Sequence, residues 1–188
     1  PILRYPHRKE DALTGCVIVY EGPYKNSEDQ VPHNLYLVCH DPYGQNQSAD
    51  SSSLGAAYVI KRVNNISRPD DLIVASYVGR PHSQDEYNRN LFMLADYYNA
   101  KIGFENDRGA VIHYAKQHRK LHKLQEEFEM LDKKDLRSKK VKRQYGMHTT
   151  EARKRQGELY IRDWLNTVRS TKEDGTTILN MHKIYDPA

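Results

Sequence analysis

The sequence predicts a mixed α/β domain. The first three strands of its sheet run antiparallel, a helical crossover reaches the fourth, and helices lie on both faces. Three observations carry that expectation. Short apolar runs rich in Val, Ile and Tyr stand at 34–41, 54–61 and 71–78, each bounded by turn residues, which is the pattern of buried strands. Ser83-Gln-Asp-Glu86 follows the third run and matches a helix capping box, in which Ser caps the N3 amide and Glu reaches back. A further short apolar run at 101–105 comes after that helix, which is the β-α-β order of a crossover.

Residues 1–14 are irregular and are expected to carry the chain in from a preceding domain. Gly15-Cys-Val-Ile-Val-Tyr20 is a short β run closed by Glu21-Gly22-Pro23. A polar stretch, 24–33, leads into Asn34-Leu-Tyr-Leu-Val-Cys-His-Asp41, too short and too rich in Val and Tyr for a helix. Pro42-Tyr43-Gly44 stops it, and 45–53 is small and polar. The next two strands are Leu54-Gly-Ala-Ala-Tyr-Val-Ile-Lys61 and Asp71-Leu-Ile-Val-Ala-Ser-Tyr-Val78, with Arg68-Pro69-Asp70 turning between them. Short connections make these three an antiparallel meander.

In the helix after Ser83, Tyr87, Leu91, Leu94, Ala95 and Tyr98 share one face. The strand Lys101-Ile-Gly-Phe-Glu105 and the turn Asn106-Asp107-Arg108-Gly109 follow, and then a long helical pattern to about residue 131. Residues 132–148 form a basic stretch. Thr149-Thr150 can cap another helix, with Ile161, Trp164, Leu165 and Val168 as its buried stripe, and Trp164 in the core. Lys172-Glu-Asp-Gly175 is a turn before a last strand at 176–181.

Composition narrows the function classes. Leu, Ile, Val and Phe make up only about a fifth of the 188 residues, and there are 14 Tyr, so the domain is folded but polar. No apolar run approaches the ~20 residues needed to span a membrane. Two cysteines, Cys16 and Cys39, cannot build a disulfide framework and read as buried thiols of a reducing compartment. The net charge of +4 hides an asymmetry: 113–169 carries +8 and the remainder −4. The densest cations are Lys133, Lys134, Arg137, Lys139, Lys140, Lys142 and Arg143. Such a block is either a solvated charged face or a phosphate-gripping segment.

Two carboxylates stand where chemistry is feasible. Asp41 ends the first strand of the meander and Glu105 ends the strand after the crossover. If those strands lie parallel and adjacent, both acids emerge at one edge of the sheet. They would repel each other there, and a divalent cation is the natural counter-charge. Oxygen-only ligands favour Mg²⁺ or Mn²⁺ over zinc. An acid after a strand is also a common exposed turn residue, so the spacing alone leaves both readings open. His40 points to the opposite face from Asp41 and reads as structural. His118 and His122, four apart in the helical pattern, are a weak metal pair without an H-E-x-x-H frame.

The order of these pieces is more specific than any one of them. An apolar strand ending in Asp41-Pro-x-Gly44 precedes a polar loop with Asp50-Ser51 and a second apolar strand. Ile73-Val-Ala-Ser-Tyr-Val-Gly-Arg-Pro81, the helix bearing Tyr87 and Leu94-Ala95, and Ile102-Gly-Phe-Glu105-Asn106-Asp107-Arg108-Gly109 follow. Tyr145-Gly146-Met147-His148-Thr149-Thr150 then stands ahead of a helix. Over roughly 15–188 this resembles the C-terminal nuclease domain of the large terminase subunit of tailed bacteriophages.

That resemblance implies a ribonuclease-H-like fold and metal-dependent cleavage of double-stranded DNA during phage genome packaging, in the cytoplasm of the infected bacterial host. It implies Asp41 and Glu105 as catalytic metal ligands, with Asp50 and Asp107 as candidate extra ligands. Two Mg²⁺ or Mn²⁺ ions would activate the attacking water and stabilise the leaving 3′ oxygen. The basic segment, with Arg80 and Arg108 as helpers, would grip the DNA backbone without reading sequence. The implied partners are an ATPase domain in the full-length protein, the portal and the small terminase subunit. The family's third acid matches neither Asp174 nor Asp186, and is expected beyond Ala188, which makes this chain a truncated piece. The ATPase's phosphate-binding loop is not in the sequence. A junction resolvase or transposase-like nuclease of the same fold, and a non-catalytic DNA-gripping module of a packaging motor, are the alternatives.

Overall fold

The structure, a computed structural model, describes residues 13–42, 53–68, 70–106, 109–127 and 145–180. Seven strands and three helices lie within these. They are β1 (Cys16–Val19), β2 (Tyr36–Asp41), β3 (Gly55–Lys61), β4 (Leu72–Gly79), α1 (Gln84–Tyr97), β5 (Lys101–Phe104), α2 (Ala110–Gln117), α3 (Glu151–Asn166), β6 (Val168–Thr171) and β7 (Thr177–Leu179). A mixed five-stranded sheet has the order β1-β4-β3-β2-β5. The meander β2-β3-β4 is antiparallel, and β5 lies parallel to β2. This is the mixed α/β sheet expected from the sequence, an antiparallel meander with a parallel return beside its first strand, with one addition. The run at Gly15 becomes an edge strand antiparallel to β4, so four strands precede the first helix.

The alternation of side chains builds the core on one face. In β2, Tyr36, Val38 and His40 are buried; in β3, Ala57, Val59 and Lys61; in β5, Ile102 and Phe104. Helix α1 packs on this face through Tyr87, Leu91, Phe92, Leu94 and Ala95. Its start is the expected box, since Ser83 accepts from the Glu86 amide at 3.1 Å. Helix α2 adds Val111, Tyr114 and Ala115, with Tyr114 against Phe92 at 5.3 Å between ring centroids. The fully buried Lys61 ammonium meets Glu21 at 2.7 Å, and the Tyr98 hydroxyl donates to the Glu21 carbonyl at 2.6 Å. The ion pair offsets an effective penalty of several kcal/mol for burying the Lys61 charge unpaired, and the second bond satisfies the Tyr98 hydroxyl.

Three expectations are corrected. The long helix expected to about residue 131 ends at Gln117. Arg119 adopts φ 56° and reverses the chain, a 3-10 turn spans Leu121–Lys123, and the fully buried Leu124 pairs with Ile102 as an added edge segment. Burying Leu124 against the sheet outweighs helix propensity, which is weak per residue. Helix α3 buries none of its side chains, so the stripe Ile161, Trp164 and Leu165 is not core. Trp164 is 38 % exposed and donates to the Asp71 carboxylate at 2.9 Å. Val168 leaves the helix for β6, and β6 with β7 forms a separate two-stranded hairpin rather than a last strand of the main sheet. Among the described residues no helix is long and apolar enough to cross a membrane.

Candidate functional site

Parallel pairing sets the geometry. Leu37, Val38, Cys39 and His40 of β2 stand opposite Lys101, Ile102, Gly103 and Phe104 of β5. One step further along the same register come Asp41 and Glu105. Neighbouring strands lie about 4.8 Å apart and side chains alternate between faces. Asp41 and Glu105 therefore fall on one face, opposite the buried Val38 and His40. Both line a single cavity of about 400 Å³. Its floor is Leu37, Cys39, Tyr58 and Gly103, and its far wall is Gln125, Glu126, Gly146 and Met147.

That far wall extends the sheet past β5. The Gln125 amide donates to the Ile102 carbonyl at 2.8 Å, and the Met147 amide to the Phe104 carbonyl at 2.8 Å. The Asn106 amide donates back to the Met147 carbonyl at 2.9 Å, and its side chain to the Tyr145 carbonyl at 2.8 Å. Glu105 is thus held between its own strand and a bridge to Met147. Asn106 of the Glu-Asn pair has a structural reason for being there: it fixes the residue next to the carboxylate. Downstream, Thr150 caps α3 by accepting from the Arg153 amide at 3.3 Å. Arg153 pairs with Glu127 and donates to the His148 carbonyl at 2.7 Å, which ties the start of α3 to this wall.

Asp41 is exposed and Glu105 half-buried, and among the described residues neither makes an ion pair. Two carboxylates facing one cavity without a cationic partner are hard oxygen donors of the type Mg²⁺ or Mn²⁺ takes. Glu126 is a third carboxylate on the same cavity. Among the described residues, no three His, Cys, Asp or Glu side chains are grouped closely enough to hold one ion.

His40 lies under the site, 6 % exposed. Its Nδ1 is 3.1 Å from the Ala56 carbonyl and its ring stacks on Tyr87 at 5.3 Å. Burial pushes its pKa down to about 4, against the opposing pull of that hydrogen bond. It is a neutral structural residue, as its place in the strand predicts.

The other candidates divide. Arg80 stands at the same end of the sheet, two strands from Asp41, and donates to the Ser53 carbonyl at 2.9 Å. Asp50, Asp107, Arg108, Asp186 and the block Lys133, Lys134, Arg137, Lys139, Lys140, Lys142, Arg143 lie outside the described residues. Asp174 is a turn residue of the β6–β7 hairpin and accepts from the Thr176 amide at 2.8 Å, which holds its carboxyl below the usual range. His118 and His122 do not share a helix. His118 closes α2 and stacks on Tyr114 at 4.1 Å, while His122 sits in the following turn. Glu126 was missed by sequence reasoning. Its place depends on a bridge to Tyr145, nineteen positions away, and no local signal marks it.

No family model matches the chain, and no curated protein matches it. Among solved structures, the large terminase nuclease from thermophilic phage G20c aligns with a TM-score of 0.37 and 15 % identity, over 62 % of this chain and 52 % of that one. The chain spans about half the length of that neighbour. A TM-score of that size does not demonstrate a common fold.

Proposed function

We propose that this chain is a metal-dependent endonuclease acting on double-stranded DNA. The observation that carries the reading is the placement of Asp41 and Glu105. They stand at the same ends of adjacent parallel strands, one residue past the last paired row, His40 opposite Phe104, and both line one cavity. Asp41 and Glu105 would hold Mg²⁺ or Mn²⁺, with Asp50 and Asp107 as candidate further oxygen donors, while Glu126 adds negative charge to the same cavity. When bound, such ions supply Lewis-acid activation of water and stabilise the charge of the leaving oxygen. The residues of this chain do the rest. The β2–β5 ladder fixes the two carboxylates relative to each other, and Asn106 holds the backbone at Glu105 through its bonds to 145–147.

The charge distribution supports a polyanionic substrate. Lys133, Lys134, Arg137, Lys139, Lys140, Lys142 and Arg143, with Arg80 and Arg108 near the acids in sequence or space, would grip phosphates. That grip reads no sequence, which suits an enzyme cutting many sites. The motif order at 34–60, 73–110 and 145–150 supports the finer reading. In it the cut is made during phage genome packaging in the bacterial cytoplasm, by a protein that also works with an ATPase, a portal and a small terminase subunit.

Incubation with supercoiled plasmid and Mn²⁺ tests the activity. Nicking and linearisation are expected for the full-length protein that contains this domain. Asp41→Ala and Glu105→Ala should each lower the rate by about 100-fold or more, the scale of removing one electrostatic stabiliser of a transition state. Equal cutting by either variant would overturn the assignment.

A further inference from the structure

We propose that His40 is a positioning residue that fixes the Asp41 carboxylate by tying the end of β2 to β3 from beneath the sheet. The proposal rests on the reading of Asp41 as a cation ligand. Asp41 is the last residue of β2, and the next residue, Pro42, has no amide hydrogen with which to extend the ladder. On the β5 side the register ends at His40 opposite Phe104. At Asp41 the strand is therefore paired on one side alone, through its partner Ala56. A strand end held this way frays unless something else anchors it.

The anchor is the imidazole. Side chains alternate along β2, so His40 projects to the face opposite Asp41, where it is 6 % exposed. Its Nδ1 lies 3.1 Å from the carbonyl of Ala56, the residue opposite Asp41. A carbonyl only accepts, so Nδ1 carries the hydrogen. The ring stacks on Tyr87 of α1 at 5.3 Å, and Tyr87 stacks on Tyr77 of β4 at 4.7 Å. One side chain thus connects the residue before Asp41 to β3 and clamps it under α1. Partners that hydrogen-bond a metal ligand directly change metal affinity by roughly 10–100-fold when removed, and His40 acts one step further out, through the backbone opposite Asp41.

The test compares Mn²⁺ affinity, by calorimetry on the full 188-residue chain, for the unaltered protein, His40→Asn, His40→Leu and Asp41→Asn. Thermal unfolding is recorded for each. Asn places an amide N–H where Nδ1–H stands; Leu fills similar volume and donates nothing. His40→Asn is expected to keep near-native Mn²⁺ affinity, and His40→Leu to weaken it by up to about 10-fold, the lower end of that range. A purely structural role would lower the melting temperature of both variants without separating their affinities below it. Native affinity in His40→Leu, with Asp41→Asn weakened, overturns the positioning role and leaves the nuclease reading intact. Native affinity in Asp41→Asn overturns the cation reading and this proposal with it. Should His40→Leu not fold, Tyr87→Leu removes the clamping ring while leaving His40 and Asp41 in place. Weakened Mn²⁺ binding is expected there, and unchanged binding overturns the proposal.

Discussion

Gly146 shows how narrowly one residue can be specified. Its φ is 74°, and a Cβ built on it would stand 2.8 Å from the Phe104 ring and 2.8 Å from the Phe104 carbonyl oxygen. Neither the backbone conformation nor the space admits a side chain. Gly146→Ala should lower stability by about 2 kcal/mol or more, since a non-glycine residue in the left-handed region costs about 1–2 kcal/mol before any clash. The midpoint of urea unfolding measures this. The same change would displace Met147 and hence one wall of the cavity shared by Asp41 and Glu105.

His40 sets a second residue-scale expectation. Its pKa falls from 6.5 in the unfolded chain to about 4 in the folded one. Between those values the unfolded state binds a proton that the folded state refuses. Stability should therefore rise with pH from about 4 to 6.5, by up to about 3 kcal/mol from this group. Asp70 acts lower. Burial pushes its carboxyl up, but the Asn64 amide, Arg68 and Arg169 more than reverse this and hold it below the usual range. Its contribution is present above the unfolded value and is lost as pH falls through the folded one. Chemical denaturation across pH 4–7 should show the first slope, and His40→Asn should flatten it. Asp41 and Glu105 were legible in the sequence because each ends a locally recognisable strand. Glu126 was not, because long-range pairing of its segment with Ile102 and Tyr145 brings it to the cavity.

At the scale of elements, α3 and the β6–β7 hairpin are attached by charge rather than by apolar burial. Arg169 pairs with the fully buried Asp70, lies 3.7 Å from Asp71, and donates to the Asp70 carbonyl at 3.0 Å. Trp164 donates to Asp71 on the same turn. The amphipathic spacing of Ile161, Trp164 and Leu165 predicts a helix correctly but says nothing of whether its apolar face meets the core. Trp164 is the single tryptophan, so fluorescence reads this directly. Its emission should be near that of a water-exposed indole in the folded protein, and Asp71→Ala should shift it further toward the fully exposed value. A strongly blue-shifted native spectrum would instead mean a buried ring. The helix expected to residue 131 teaches the converse. Its first two turns form, and then Leu124 finds a better partner in Ile102 than in its own helix.

For the whole molecule, the architecture was legible where short-range pattern determines it. Period-two burial, short turns and one capping box specify the meander, the helix and the parallel return to β2. The edge strand β1 needed more. It closes on β4 where Gly15 and Gly79 come so near that a Cβ on Gly15 would be 1.9 Å from the Val78 carbonyl oxygen. That approach is a long-range event no local run foretells. The charge asymmetry has a spatial counterpart on its acidic side, since the sheet carries Asp41 and Glu105 to one cavity. The cationic block, 133–143, lies outside the described residues.

Under the proposed function, Asp41 and Glu105 act together on one bound cation. Calorimetric titration of Mn²⁺ into the unaltered chain, Asp41→Asn, Glu105→Gln and the double variant tests it most directly, because these changes remove charge and keep volume. Each single change should weaken binding strongly. The double variant should be little worse than either single one, the non-additivity of residues that share a ligand. Native Mn²⁺ affinity in either single variant, or losses that simply add, would contradict it.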